Sequence, residues 1–462
     1  MKKKLFYILI TFLLFLILAI PAYNINSKNP ESMRFIKNLM PNDFKDFLKK
    51  TVFYIPESIK KNKELKKRYD EEIKTNKLLN EKLIDLMQTK NLVNEEIFPQ
   101  TQFLKLNFYE QTLSELNTIQ NRFIDKKRDG KKISPFFIET LEEKTLLIAV
   151  NGTTLLLNTE KIIAKQNADE SIIKNNLPKD ITVTDSLIYE DQIFISFVNK
   201  NKTCENMEIY NAKINFDTLN FKEFYSQGVE GSCDQNPLGG RMAVYNYMGN
   251  PSLLISVKDP NKKNHFLLDQ YNENLEYKFT VILRIDMNKK DVQTFSSGHR
   301  NPQGLLVNEN NIILSTEHGP RGGDEINKIE EGKNYGWPKA SYGENYNENY
   351  NEMDKYKYEK NHLSFGFQEP IYSFTPSIAI SQIIKVPEEF SSRWKNNYLI
   401  TTLRSLSLFR VIFDDKYSRI INMEKITVGK RIRDIAYNKK YNSFLLALED
   451  ETGSIAAISA QK

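Results

Sequence analysis

Cysteine is nearly missing from this chain: two residues, Cys204 and Cys233, among 462. No CxxC pair occurs, which removes the usual spacing of a zinc ribbon or a dithiol redox site. Histidine is almost as scarce, with only His265, His299, His318 and His362. No Ser-His-Asp arrangement stands out, and no GxxxxGK is present to cradle a nucleotide phosphate. The folded body also lacks an excess of positive charge. The chain as a whole carries +6, but residues 1–90 hold nineteen Lys and Arg against ten Asp and Glu, so the remainder is slightly acidic, near −3. A nucleic-acid partner needs a basic patch on that body, and the composition argues against one. A clean internal repeat is absent too, so no blade count follows from periodicity.

What is present begins with "MKKKLFYILITFLLFLILAIPAY". Three lysines precede an apolar run from Leu5 to Ile20. This is the pattern of a signal peptide or signal anchor over residues 1–22, slightly short of the ~20 apolar residues of a full span. A cleavage after Ala22 would place Ile20 where a small residue is preferred, and no cysteine follows to carry a lipid. The lysines are expected to stay in the cytoplasm. The expected localisation is therefore export to the periplasm, with the N-terminal helix as membrane anchor. In an exported chain the even cysteine count favours a Cys204–Cys233 bridge over two separate thiols.

Residues 23–99 read as a helical spacer. From Glu57 to Glu96 there is no glycine or proline, and Leu65, Tyr69, Ile73, Leu79, Leu83 and Leu86 recur mostly at three- or four-residue spacing on a densely charged background. Such a helix either holds the body off the membrane, with homo-oligomerisation following if it forms a coiled coil, or packs on the edge of the body. From about residue 100 the pattern changes to short β-rich runs between Gly, Asn and Asp turns: "KTLLIAVNGTTLLLN", "DQIFISFVN", "PSLLISV", "NIILSTE", "NNYLITTL", "NSFLLALED". Twenty-eight Phe and 23 Tyr suit strands. Strands at this spacing without helices between them predict an all-β fold. Residues 100–462 are too many for one sandwich and fit a six-bladed β-propeller with roughly sixty residues per four-stranded blade.

The richest segment is Gly298 to Pro338, "GHRNPQGLLVNENNIILSTEHGPRGGDEINKIEEGKNYGWP". Its Gly-Pro pair at 319–320 and Gly-Gly pair at 322–323 let the backbone turn sharply and approach a ligand closely. Asp324 and Glu325 offer the oxygen donors that hard cations prefer. Arg300 and Asn301 supply hydrogen-bond donors for an anionic or quinonoid ligand.

The string "GHRNPQG…EHGPRGGDEIN…GKNYGWP" resembles the signature of the sugar dehydrogenases that depend on pyrroloquinoline quinone, the glucose/sorbosone dehydrogenase family. The resemblance continues through "PSIAIS", "NNYLITTLRSLSLFRV" and "GKRIRDIAY", strongly after residue 280 and loosely back to about 170. Residues before about 130 show no counterpart. The resemblance implies a six-bladed β-propeller that oxidises an aldose at the C1 hydroxyl, with hydride passing to the quinone and Ca²⁺ polarising it. It implies that Arg300, Asn301, Tyr346, Arg404, Arg431 and Arg433 hold the quinone, Arg404 standing where the family often has lysine. It further implies that the Gly319 and Pro320 carbonyls bind the cofactor's Ca²⁺, and that Glu325 and Tyr335 bind a second one. The substrate would be a small sugar or a related alcohol; no motif names the electron acceptor.

One departure matters. The family's base is a histidine four residues before the arginine of a Gly-Arg pair. Here Gly240 and Arg241 are present, but that position is Pro237, which accepts no proton. Asp234, in the same loop, and Asp259, matching the acidic partner of the family's histidine, are the candidates to replace it. A glutamine contact from an early blade is also not visible where "LPKDITVTDS" falls. Two functional classes follow: an oxidoreductase with an altered base, or a propeller serving as a binding module. The retained arginines favour the first, Pro237 the second. A polysaccharide-binding propeller stacking sugars on Trp337 has no motif of its own.

Overall fold

The computed structural model describes residues 106–114, 135–200, 206–227, 239–259, 279–344, 358–449 and 453–460, with isolated positions and a two-residue ladder between 104 and 132. The apolar run, the helical spacer, both cysteines, Asp234, Pro237, His265 and Tyr346 lie outside the described residues. Among the described residues no helix is long and apolar enough to cross a membrane.

The strands form six antiparallel blades, and the expected all-β propeller is the architecture found. Blade 1 runs from Phe136–Leu141 to Ser171–Asn175, blade 2 from Ile181–Tyr189 to Lys222–Ser226, and blade 3 from Gly239–Tyr247 to Val292–Ser297. Blade 4 runs from Pro302–Val307 to Tyr372–Phe374, and blade 5 from Ile380–Lys385 to Ile420–Thr427. A short parallel strand, Thr218–Leu219, extends the outer edge of blade 1. Blade 6 takes Ile432–Asn438, Ser443–Leu448 and Ser454–Ala460 from the end of the chain, and its outermost strand, Leu106–Thr112, from the beginning. That last pairing is antiparallel from Leu106↔Ala460 to Thr112↔Ser454. It joins the two ends of the propeller sequence, so a segment without family resemblance is nonetheless part of the fold.

The strand sequences show why the sheets stack. Second strands are buried on both faces, because each blade is covered by a neighbour on each side. Gln192–Asn199 is buried at seven of eight positions, and its "IFISFV" is correspondingly an unbroken apolar and small-residue run. Outer strands meet water, and none of the eight residues of Ile420–Thr427 is fully buried. The apolar cores accordingly lie between blades. Phe194, Leu253 and Leu283 pack blade 2 on blade 3, while Leu399, Leu408, Phe444 and Leu446 pack blade 5 on blade 6. Hairpins are tight where the sequence allows: Met248 and Gly249 both take positive φ, 50° and 86°, the two-residue turn that matches strand twist.

The six inner strands contact one another in order, and the sixth returns to the first. In blades 2 to 6 the ladder of the inner strand slips near its start, between Val183/Asp185, Gly239/Met242, Pro302/Gly304, Ile380/Ile383 and Ile432/Asp434. A bulge re-aims side chains, and these point polar groups at the axis. Arg241, 2% exposed, fills it. Its Nη1 donates to Asp185 Oδ1 at 2.7 Å and Asp434 Oδ1 at 3.1 Å, its Nη2 to the Arg433 carbonyl at 3.0 Å, and its guanidinium lies 5.0 Å from the Phe137 ring. The carboxylates' second oxygens accept the Met242 and Ile138 amides at 2.8 and 3.0 Å. Burial, with Asp434 and Asp185 nearby, pushes the Glu139 carboxyl well above its usual range. One guanidinium thus serves a group of acids and joins blades 1, 2, 3 and 6.

Removing one member of a buried ion pair leaves the other charge uncompensated and costs about 3–5 kcal/mol. Arg241→Met is therefore expected to lower unfolding free energy by that amount with an unchanged urea m-value. A loss under about 1 kcal/mol would show that the axis is not held by this residue.

Candidate active site

The loop before the inner strand of blade 4 and the loops that follow its second and third strands build one polar cavity, lined by Arg300, His318, Gly319, Glu325, Tyr335 and Trp337 among others. Two buried carboxylates hold these loops in place. Glu317 ends the second strand of blade 4. Its Oε1 accepts the amides of Arg300 and, at 3.0 Å, Asn301, while its Oε2 meets His299 Nδ1 at 3.1 Å. His299 is bonded to Ser296 Oγ at 2.8 Å through Nε2 and stacks on Tyr335 at 4.7 Å. Glu317 and His299 are thus scaffold for the loop that presents Arg300.

Asp324, fully buried, is the second such carboxylate. Its Oδ1 accepts the Gly319 amide at 3.1 Å; its Oδ2 accepts Ser377 Oγ and the amides of Ile378 and Ile380 at 2.7, 3.0 and 3.3 Å. Its oxygens are occupied by backbone and a serine, which corrects the expectation that the Asp324–Glu325 pair offers both carboxylates to a cation. The glycines are required for the same turn. A Cβ on Gly319 would stand 2.2 Å from the Gly323 carbonyl, and Gly322 and Gly323 take φ of 88° and 67°.

Glu325 holds no backbone amide; its Oε2 accepts from Asn327 Nδ2 at 3.3 Å. Burial first, then Glu317, Glu369 and Asp324, push its carboxyl well above the usual range. His362 stands 4.0 Å from its Oε1 and 3.6 Å from Glu369 Oε2, with neither ring nitrogen hydrogen-bonded. Among the described residues no three His, Cys, Asp or Glu are grouped as a ready-made metal site. Tyr335 is fixed at both ends: its amide donates to Ser297 O at 2.9 Å and its hydroxyl donates to Lys328 O at 2.5 Å.

The arginines fall into two groups. Arg300 donates from Nη1 to His318 O at 3.1 Å and lies 5.2 Å from the Trp337 ring, while its buried Nε has no partner. Arg431 and Arg433 both pair with buried Glu449, Arg431 Nη2 at 2.7 Å and Arg433 Nε at 2.5 Å. Burial opposes ionisation of Glu449, but the two guanidiniums hold its carboxyl below the usual range. Arg433 also donates to Gln303 Oε1 at 2.8 Å, and Gln303 Nε2 to Asn301 Oδ1 at 3.1 Å. That chain of bonds joins the Arg431–Arg433 pair to the Arg300–Asn301 pair. Arg431 keeps a buried Nε without a partner. Arg404 is exposed, its amide bonded to Ile378 O at 3.1 Å beside Leu403, whose carbonyl accepts from Arg431 Nη1.

The structure therefore brings together Arg300, Asn301, Gly319, Glu325, Tyr335 and, through Gln303, Arg433 and Arg431. Asp259 is nearby but not open: it is 1% exposed and its Oδ2 accepts the Trp337 indole N–H at 2.9 Å. Glu317, Gln303 and Glu449 were invisible in the sequence as site residues, since each acts by holding another residue. Glu317 alone carried a signal, ending a strand immediately before "HGP".

A model of the glucose/sorbosone dehydrogenase family matches residues 133–457. This chain belongs to that family. It is 32% identical over 177 residues to aldose sugar dehydrogenase YliI of Escherichia coli, covering 36% of this chain and 44% of that protein. It is 25% identical over 341 residues to quinoprotein glucose dehydrogenase B of Acinetobacter calcoaceticus, covering 57% of this chain and 70% of the relative. The fold matches the crystal structure of the soluble E. coli aldose sugar dehydrogenase with a TM-score of 0.57 at 18% identity, covering 77% of this chain and all of that one. It also matches the quinone-bound aldose sugar dehydrogenase of Streptomyces coelicolor, with a TM-score of 0.52 at 14% identity and coverage of 78% and 100%.

His318 faces the cavity with its pKa lowered to about 4, by burial first and then by Arg433 and Arg300, against the opposing pull of Asp324. Its imidazole is expected to stay neutral down to about pH 4. An unfolded chain would protonate it near pH ~6.5, so stability is lost as pH falls through that window. An NMR titration placing His318 near ~6.5 in the folded protein would refute the electrostatics described above.

Proposed function

We propose that this chain is an exported oxidoreductase that oxidises the C1 hydroxyl of an aldose or related alcohol with pyrroloquinoline quinone and Ca²⁺. The observation that carries the reading is a pair of buried, unpartnered guanidinium Nε atoms, on Arg300 and Arg431, in a connected arginine cluster. Buried donors are normally satisfied, and a planar ligand bearing several carboxylates would satisfy these. When bound, the quinone supplies the hydride acceptor.

The chain's own residues do the rest. Arg300, Asn301, Arg431 and Arg433 orient the cofactor, and Arg404 and Tyr346 add to its grip. The carbonyls of Gly319 and Pro320 would hold its Ca²⁺. Glu325 and the Tyr335 carbonyl suit a second Ca²⁺, whose charge would offset the burial and repulsion that keep Glu325 from ionising. The hydroxyl proton needs an acceptor other than Pro237. Asp259 is engaged by Trp337, which leaves Asp234, three residues before Pro237, as the candidate base. The lysines and apolar run of residues 1–22 support membrane anchoring outside the cytoplasm, with residues 57–96 as the spacer.

Titration of the quinone into the purified protein with Ca²⁺, followed by absorbance, is expected to show tight binding, then bleaching on addition of an aldose. Arg300→Ala and Arg431→Ala should each weaken binding by roughly tenfold or more, the loss of about 1.5–3 kcal/mol for a hydrogen bond to a charged group. Chelation with EDTA should lower the affinity as well. No binding at all would sink the assignment of the arginine cluster. Binding without bleaching under any aldose would instead support a binding module, the reading that Pro237 favours.

Asp234→Asn is expected to reduce kcat about 10²- to 10⁴-fold while quinone affinity is unchanged. An unaltered kcat would exclude Asp234 as the base.

A further inference from the structure

We propose that Asp259 is a positioning residue, setting the orientation of Arg300 through the indole of Trp337 rather than accepting a proton from substrate. The residue touches both partners. Its amide donates to the Arg300 carbonyl at 2.9 Å, and its Oδ2 accepts the Trp337 Nε1–H at 2.9 Å. Trp337 is 7% exposed and is tied to the same loop by its own amide, which donates to Gly298 O at 3.0 Å. The Arg300 guanidinium lies 5.2 Å from the indole ring. Arg300 and Trp337 both line the cavity, whereas Asp259 does not.

The chemistry gives this arrangement a direction. A carboxylate accepting from an indole N–H forms a charge-assisted bond and pushes electron density into the ring. An electron-richer ring face attracts a guanidinium more strongly, and a cation–π contact gains when it is desolvated. Asp259 thus fixes the plane of Trp337 and strengthens its hold on Arg300, leaving the unpartnered Arg300 Nε presented to a ligand. The carboxylate therefore has a use in this chain although the family's histidine position is Pro237.

The effect on cofactor affinity rests on the function proposed above; the contact itself does not, and the test separates the two. The chain has only two tryptophans, Trp337 and Trp394, so the full chain labelled with ¹⁵N at the indole should give two indole N–H resonances. Trp337→Phe deletes one and assigns it. Asp259→Asn should move that resonance upfield, because a neutral acceptor replaces an ionised one, and leave the Trp394 resonance in place. In quinone titrations Asp259→Asn and Trp337→Phe should each weaken binding by roughly tenfold, and the double variant no further than the more affected single variant. An unmoved Trp337 resonance, or fully additive losses, would overturn the proposal. So would an Asp259→Asn variant that binds quinone as the wild type does but has lost turnover, since that outcome makes Asp259 the base. Wild-type protein that fails to bind quinone would sink the proposed function, while the indole resonance would still decide the Asp259–Trp337 contact.

Discussion

The guanidinium of Arg241 is where the propeller is locked. Blades cohere pairwise through apolar layers, and such layers tolerate substitution. An axial charge held by directed hydrogen bonds does not. Arg241 reaches Asp185 from blade 2, Asp434 and the Arg433 carbonyl from blade 6, and the Phe137 ring from blade 1. The Arg433 carbonyl is shared with Ser381 Oγ of blade 5 at 2.7 Å, and the Arg433 side chain reaches Gln303 of blade 4. All six blades are registered by one connected polar network. Arg433 belongs both to this network and to the cluster at the cavity, so the axis that closes the fold also sets the site.

The site repeats the same logic on a smaller scale. Asp324 looks like a ligand in the richest stretch of sequence, yet it and Glu317 are both consumed by backbone amides. Loops rich in glycine would otherwise be free to sample many conformations. Buried carboxylates that accept several N–H groups select one of them, and so hold Arg300, Asn301 and the Gly319–Pro320 carbonyls in a fixed arrangement. Glu449 does the same for Arg431 and Arg433. Preorganised donors are what an anionic, planar ligand requires.

Much of this was legible in the sequence. The all-β body, the six blades and the membership of Arg300, Asn301, Gly319, Glu325, Tyr335, Arg431 and Arg433 in one region followed from strand grammar and from the family motif. Three things were not legible. The outermost strand of blade 6, Leu106–Thr112, carries no motif, and its partner is at the other end of the chain. Arg241 read as one half of a Gly-Arg signature, whereas its role is at the axis. Asp259 read as a candidate base because nothing along the chain connects it to Trp337, 78 residues on.

The sequence by itself determined the kinds of groups available: alternating and continuous β-runs that must stack, glycines that let backbone approach a ligand, arginines enough for an anion, and a proline where a histidine would accept a proton. Only the tertiary structure decided which of those groups are already taken. Partnership among buried charges is a matter of distance across blades, and Arg241 finds its two carboxylates 56 and 193 residues away in sequence. Carboxylates of equal rank in the chain therefore divide, on folding, into those that hold backbone, such as Asp324, those that hold a side chain, such as Asp259 and Glu449, and those that burial and neighbouring carboxylates keep from ionising, such as Glu325.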